Sequence, residues 1–206
     1  ELMGHLRREI PGEVWSASPE EHGFSILAGP DEKFREPLLH LKGVSRRYGQ
    51  KSLHPVEGVR DLNFSFYPGE TAVLMGTTGA GKSTFLQILN TLLLPEEGEI
   101  TLLGENPLDR NCDLRRLRTQ IGLVMQQPEK QLFASLAGDD VAFGPRQKGI
   151  TGRGLAVRVR DAMDQMGLSY RQYRDSPVRS LSGGMKRKVA LAGILAMKPA
   201  VLLLDE

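Results

Sequence analysis

The sequence predicts an α/β protein, and three observations carry that prediction. Strand-like apolar runs alternate with helix-like ones, a glycine-rich turn joins one such strand to its helix, and Val201–Glu206 reads as a buried parallel strand ending in two carboxylates. Over 206 residues, 40% hydrophobic and 25% charged with a formal net charge of +2, the composition is that of a globular chain of about one domain. It excludes disordered, collagen-like and strongly charged classes. The single cysteine, Cys112, can form no internal disulfide. No run approaches the roughly 18 uninterrupted apolar residues of a membrane-spanning helix, and ELMGHLRREIPGE at the start lacks the apolar core of a signal peptide. A cytoplasmic location is expected. Because the chain starts at Glu1 and stops straight after a hydrophobic run, it reads as a fragment open at both ends.

Residues 1–37 hold eight acidic and four basic side chains with Pro11, Pro19, Pro30 and Pro37 spread among them, which rules out a long helix. With no strand period either, the segment is expected to be a linker or tail. The folded domain is expected over 38–206, opening with the strand-like run LLHLKGV. TAVLMG (71–76) predicts a strand, and KSTFLQILNTLLL predicts a buried helix after the glycine turn. EITLLG (99–104) and IGLVMQ (121–126) are further strands, separated by the arginine-rich helix CDLRRLRT. From about 128 to 180 strand signals fade and helical patterns take over, notably at 151–167, giving a helical insertion. SGGMKRKVALAGILAMK then places Met185, Val189, Ala192 and Ala196 on one helical face ahead of the final strand.

Gly76-Thr77-Thr78-Gly79-Ala80-Gly81-Lys82-Ser83 fits G-x-x-x-x-G-K-[ST]. Glycines let successive N–H groups turn inward toward phosphate oxygens, and the helix that follows adds the positive end of its dipole. Lys82 would reach the β and γ phosphates and the Ser83 hydroxyl would hold Mg²⁺. A chance match is the alternative, but the motif lies between the strand and helix that its mechanism needs. Asp205 and Glu206 would stand at the carboxyl edge of a parallel sheet, where ligands of such folds bind. There Asp205 would orient Mg²⁺ and Glu206 would position or deprotonate the attacking water. Leu181-Ser182-Gly183-Gly184 supplies a second phosphate-binding helix start, although by itself it is no more than a good N-cap.

The three motifs together, in this order, resemble the ATP-binding cassette (ABC) ATPases, and the resemblance spans roughly 38–206. It implies a P-loop NTPase fold: an ABC ATPase core with a mostly parallel sheet, an antiparallel β subdomain and a helical insertion, C-terminally truncated here. Val124-Met125-Gln126-Gln127-Pro128-Glu129-Lys130-Gln131-Leu132-Phe133, with DVAFGP (140–145), resembles the energy-coupling factor subgroup, which includes cobalt and nickel importers.

By that resemblance Gln126 is the glutamine that senses Mg²⁺ and the γ-phosphate. Tyr48, 28 residues before Gly76, is the aromatic that stacks on adenine, and Thr84 joins the loop in ATP binding. Ser182, Gly183 and Gly184 act in trans on the ATP of a second cassette. Implied partners are that cassette, as homo- or heterodimer, an integral membrane transport subunit and a substrate-capture subunit, with no nucleic acid. The implied place is the cytoplasmic face of the membrane, and the implied work is ATP-powered uptake of a vitamin or transition-metal ion.

A soluble cassette ATPase acting on nucleic acid or ribosomes is the runner-up, and a P-loop kinase a more distant one. The net +6 segment 153–188 is expected to be a solvated helical face, and Arg46 and Arg47 are expected to be solvated. The four histidines show no metal spacing. Met185 stands where the family usually has Gln. The family's D-loop and switch histidine lie beyond Glu206, so the chain as written should be a poor ATPase by itself.

Overall fold

The computed structural model describes residues 24–27, 36–49 and 56–205. Its contacts divide into two units, Glu1–Leu114 and Arg115–Glu206.

In the first unit an antiparallel sheet has the order β3-β2-β5, with β2 at Leu39–Tyr48, β3 at Val56–Phe66 and β5 at Glu97–Leu102. Leu39 stands opposite both Phe66 and Leu102, and Leu41 opposite Phe64 and Ile100. Alternation along β2 buries Leu39 and Leu41, and the register shift after Leu41 lets Val44 be buried too, with Val59, Leu62, Ile100 and Leu102 in the same core. Register shifts between Leu41 and Arg47 bend β2 and re-aim its last side chains, Tyr48 among them.

The strand predicted at 71–76 is β4, Val73–Gly76. It is followed by α1, Lys82–Leu89, whose Phe85, Ile88 and Leu89 are buried. Phe85 meets Phe64 of β3 edge-on at 5.2 Å, which seats α1 against that strand. The helix ends sooner than its apolar run suggests. Asn90 caps it and Thr91 takes φ 60, a left-handed conformation that a β-branched residue rarely adopts, so the ladder cannot continue.

Two strands went unseen in the sequence. β1, Phe24–Leu27, lies inside the expected tail and pairs antiparallel with β4, Phe24 opposite Gly76. Four residues are too few to display an alternation, and the pairing partner is remote in sequence. The rest of residues 1–35 lies outside the described residues. β3 was missed because Gly58, Asp61 and Asn63 give its sequence the look of a turn. Asp61 does take φ 44, and its amide is held by Ser45 Oγ at 2.9 Å.

In the second unit β6, Ile121–Val124, pairs in parallel with β7, Val201–Leu204, in the register Ile121↔Val201 to Val124↔Leu204. The arginine-rich helix is α2, Leu114–Gln120, running directly into β6. Helices α3 (Ala137–Gln147), α4 (Gly152–Gln165), α5 (Tyr170–Tyr173) and α6 (Gly183–Ala196) account for the helical stretch. Their shared core is Val141, Val159, Ala162, Met163 and Leu168 against Val189, Ala192 and Ala196, with Met185 packed at its edge. The predicted face of α6 is therefore its buried face. Each large side chain withdrawn there contributes about 1.5–3 kcal/mol.

Candidate functional site: a phosphate loop and two strand-end polar groups

β4 delivers the chain to the loop at Gly76, and two glycines with positive φ, Gly79 (83°) and Gly81 (90°), turn it back into α1. Only glycine suits Gly81 twice over: its φ excludes other residues, and a Cβ there would run into the carbonyl of Gly58 on β3. Ala80 N–H closes the turn on Thr77 O at 3.2 Å, and Phe85 N–H opens the helical ladder on Gly81 O at 2.9 Å. The amides before Phe85 belong to the first turn, which no helix satisfies internally, and Thr77, Thr78 and Gly79 are exposed. Lys82 Nζ donates to the carbonyls of Gly76 and Thr77, both at 2.8 Å, so its ammonium lies back over the loop that it follows. Ser83 is exposed on the same turn, and the Thr84 hydroxyl is 3.0 Å from the phenol oxygen of Tyr48. Tyr48 thus reaches the start of α1 from the end of β2. A positive helix end, a lysine ammonium and a half-buried aromatic ring occupy one small region, which is the chemistry for a phosphate chain carrying a base.

In the second unit two polar residues follow a strand edge. Val124 and Leu204 are the last paired residues of the parallel strands, and Asp205 N–H donates to Val124 O at 2.9 Å. Gln126 and half-buried Asp205 therefore both follow the carboxyl end of the same strand pair. Glu206 lies outside the described residues. At the start of α6, Ser182 Oγ accepts from Met185 N–H at 3.3 Å as the N-cap. A Cβ on Gly183 or Gly184 would meet nothing within 4 Å. Internal packing does not demand glycine there, whereas close approach of an outside group to the backbone would. With no acid in the first turn, the positive helix end is uncompensated.

The profile of the family described as ABC transporter matches residues 59–206. The chain belongs to the ABC transporter family. Among similar proteins, the energy-coupling factor transporter ATP-binding protein EcfA2 of Clostridium acetobutylicum is 44% identical over 168 residues, covering 82% of this chain and 59% of that protein. The chain thus spans about three fifths of the length of such relatives. Among solved structures, CbiO1 from Clostridium perfringens, part of the ABC transporter complex CbiONQ, matches with TM-score 0.68 and 30% identity over 84% of this chain and 66% of its own. The cassette MJ0796, a dimer in a post-hydrolysis state bound to ADP and Pi, matches with TM-score 0.70 and 25% identity over 82% and 73%. The fold is that of the P-loop NTPases in its ABC ATPase form.

One expectation needs correcting. Arg46 of the cassette is not simply solvated: its side chain is 28% exposed, and Nη1 donates to Leu94 O at 3.1 Å and pairs with Glu96 at 3.3 Å. Gly58, which no sequence motif marks, is the residue that the sequence reading missed. It is where β3, the loop at Gly81 and Tyr48 come closest. Its requirement is tertiary, so no local pattern announces it.

Proposed function

We propose that the complete protein is the ATP-binding and hydrolysing subunit of an importer of the energy-coupling factor type, peripheral on the cytoplasmic face of the membrane. The observation that carries this reading is the loop 76–83, strand-fed and helix-ended, with glycines at φ 83° and 90° and the Lys82 ammonium lying over it. The relatives named as energy-coupling factor proteins support the subtype. A vitamin or transition-metal ion is the proposed cargo, captured by a membrane subunit and never by this chain.

In this reading Gly76–Thr84 holds the triphosphate, Lys82 spans its β and γ groups, and Tyr48 takes the adenine. Ser83, Gln126 and Asp205 offer a hydroxyl, an amide oxygen and a carboxylate, the hard oxygen donors that suit Mg²⁺. The ion would neutralise charge developing on the β and γ phosphates. Glu206 orients the attacking water, and Ser182, Gly183 and Gly184 close over the γ-phosphate of a second cassette. MJ0796, whose solved form is a dimer with ADP and Pi, supports that arrangement. Catalysis then rests on positioning and charge stabilisation. The nucleic-acid alternative loses ground because the relatives are named as energy-coupling factor transporter proteins and because one charge of the net +6 segment 153–188, Arg187, is paired with Glu129 outside it.

Lys82→Ala tests the reading. Loss of charge-assisted bonds to two phosphates should weaken MgATP binding about a hundredfold or more in isothermal titration. Wild-type affinity in that variant would overturn the assignment.

A further inference from the structure

Tyr48 is held on three sides by groups outside the phosphate loop's G-x-x-x-x-G-K-S core. Its phenol shares a hydrogen bond with the Thr84 hydroxyl at 3.0 Å. Its ring edge rests against Gly58, where a Cβ would stand 2.8 Å from Tyr48 Cε2, 2.9 Å from Thr84 Cγ2 and 3.1 Å from the Arg46 carbonyl oxygen. Over the ring, the Arg46 guanidinium carbon sits 6.0 Å from the centroid. That guanidinium cannot swing away freely, because Leu94 O and Glu96 Oε1 hold the same nitrogen. Both side chains of the ion pair are about a quarter exposed, which screens it less than an ordinary surface pair.

We propose that Arg46, Gly58 and Thr84 form a bracket that presets the Tyr48 ring for a purine base, with Arg46 and Gly58 as positioning residues that act through Tyr48. A ring whose orientation is fixed before binding loses less conformational freedom on stacking, so more of the contact appears as affinity. A cation at this distance also draws on the ring's negative face and resists its rotation. Gly58 acts by what it lacks, since any side chain there would push on the ring, on Thr84 or on the β2 backbone, and the backbone cannot retreat. The proposal rests on the reading of Tyr48 as the adenine contact.

The test compares MgATP with Mg-tripolyphosphate, which has the phosphate chain and no base, in the full-length protein by isothermal titration. Tyr48→Ala should bring the two affinities close together. Arg46→Met and Gly58→Ala should each lower the ratio of MgATP to tripolyphosphate affinity about three- to tenfold, the scale of a cation–π or stacking contact, with tripolyphosphate affinity changing less than about twofold. A simple structural defect would instead weaken both ligands together. Should Gly58→Ala disturb the loop and lose both, Arg46→Met decides. A wild-type ratio in Arg46→Met, with the ratio collapsed in Tyr48→Ala, overturns the bracket and leaves the adenine contact standing. A wild-type ratio in Tyr48→Ala removes both.

Discussion

At Gly81 and Gly184 the same residue type serves opposite needs, and the difference is measurable. Gly81 is confined by its φ of 90° and by the Gly58 carbonyl, so its replacement strains the folded chain itself. Gly184 has open space around it and sits in the first turn of α6, where alanine is favoured over glycine by up to about 1 kcal/mol. Gly184→Ala should therefore melt no lower than wild type in thermal denaturation, yet its steady-state ATPase rate in the full-length protein should fall at least about tenfold. Unchanged turnover would deny the backbone of Gly184 a role at the γ-phosphate. Glu206→Gln in the same protein should keep ATP, release phosphate at least about a hundredfold more slowly and accumulate as a closed dimer in size-exclusion chromatography. Normal phosphate release would remove Glu206 as the group that orients water.

Among the elements, the start of α3 depends on a single buried carboxylate. Asp140 is 8% exposed and accepts from the amides of Phe133 and Ala134 at 2.9 and 2.8 Å, fixing the turn that leads from the glutamine segment into the helices. It also lies in the first turn of α3, where a negative charge suits the helix end. Asp140→Ala strands two amides and should cost about 2–4 kcal/mol in chemical denaturation. An unchanged midpoint would mean that the turn is held by something else. Elements of this kind were legible where the cause is local. The strand–glycine–helix order around Gly76–Ser83, the Ser182 cap and the buried face of α6 all follow from patterns within one turn or one strand. β1, β3 and the early stop of α1 were not, because a remote pairing partner, a bulged register and a left-handed Thr91 decide them. Gly58 and Arg46 escaped for the same reason: Gly58 meets Tyr48 and Thr84, and Arg46 is held by Leu94 and Glu96, all of them beyond the reach of a local pattern.

At the scale of the molecule, each unit carries its own set of candidate groups. Tyr48 and Gly76–Thr84 belong to the first, while Gln126, Ser182–Gly184 and Asp205 belong to the second. A ligand bound only by the native state stabilises it by mass action, so MgATP at a hundred times the wild-type Kd should add about 2.7 kcal/mol to unfolding of the wild type and, at the same concentration, no more than about 0.4 kcal/mol to Lys82→Ala. Equal stabilisation of both proteins would point to a binding site elsewhere. The central claim is that the loop amides of residues 76–83 cradle the phosphates of a nucleotide. Amide NMR during a titration with MgATP addresses it most directly. The account predicts that the Gly79, Gly81 and Lys82 resonances shift together, along one saturation curve. Binding of MgATP with those three signals unmoved would contradict it.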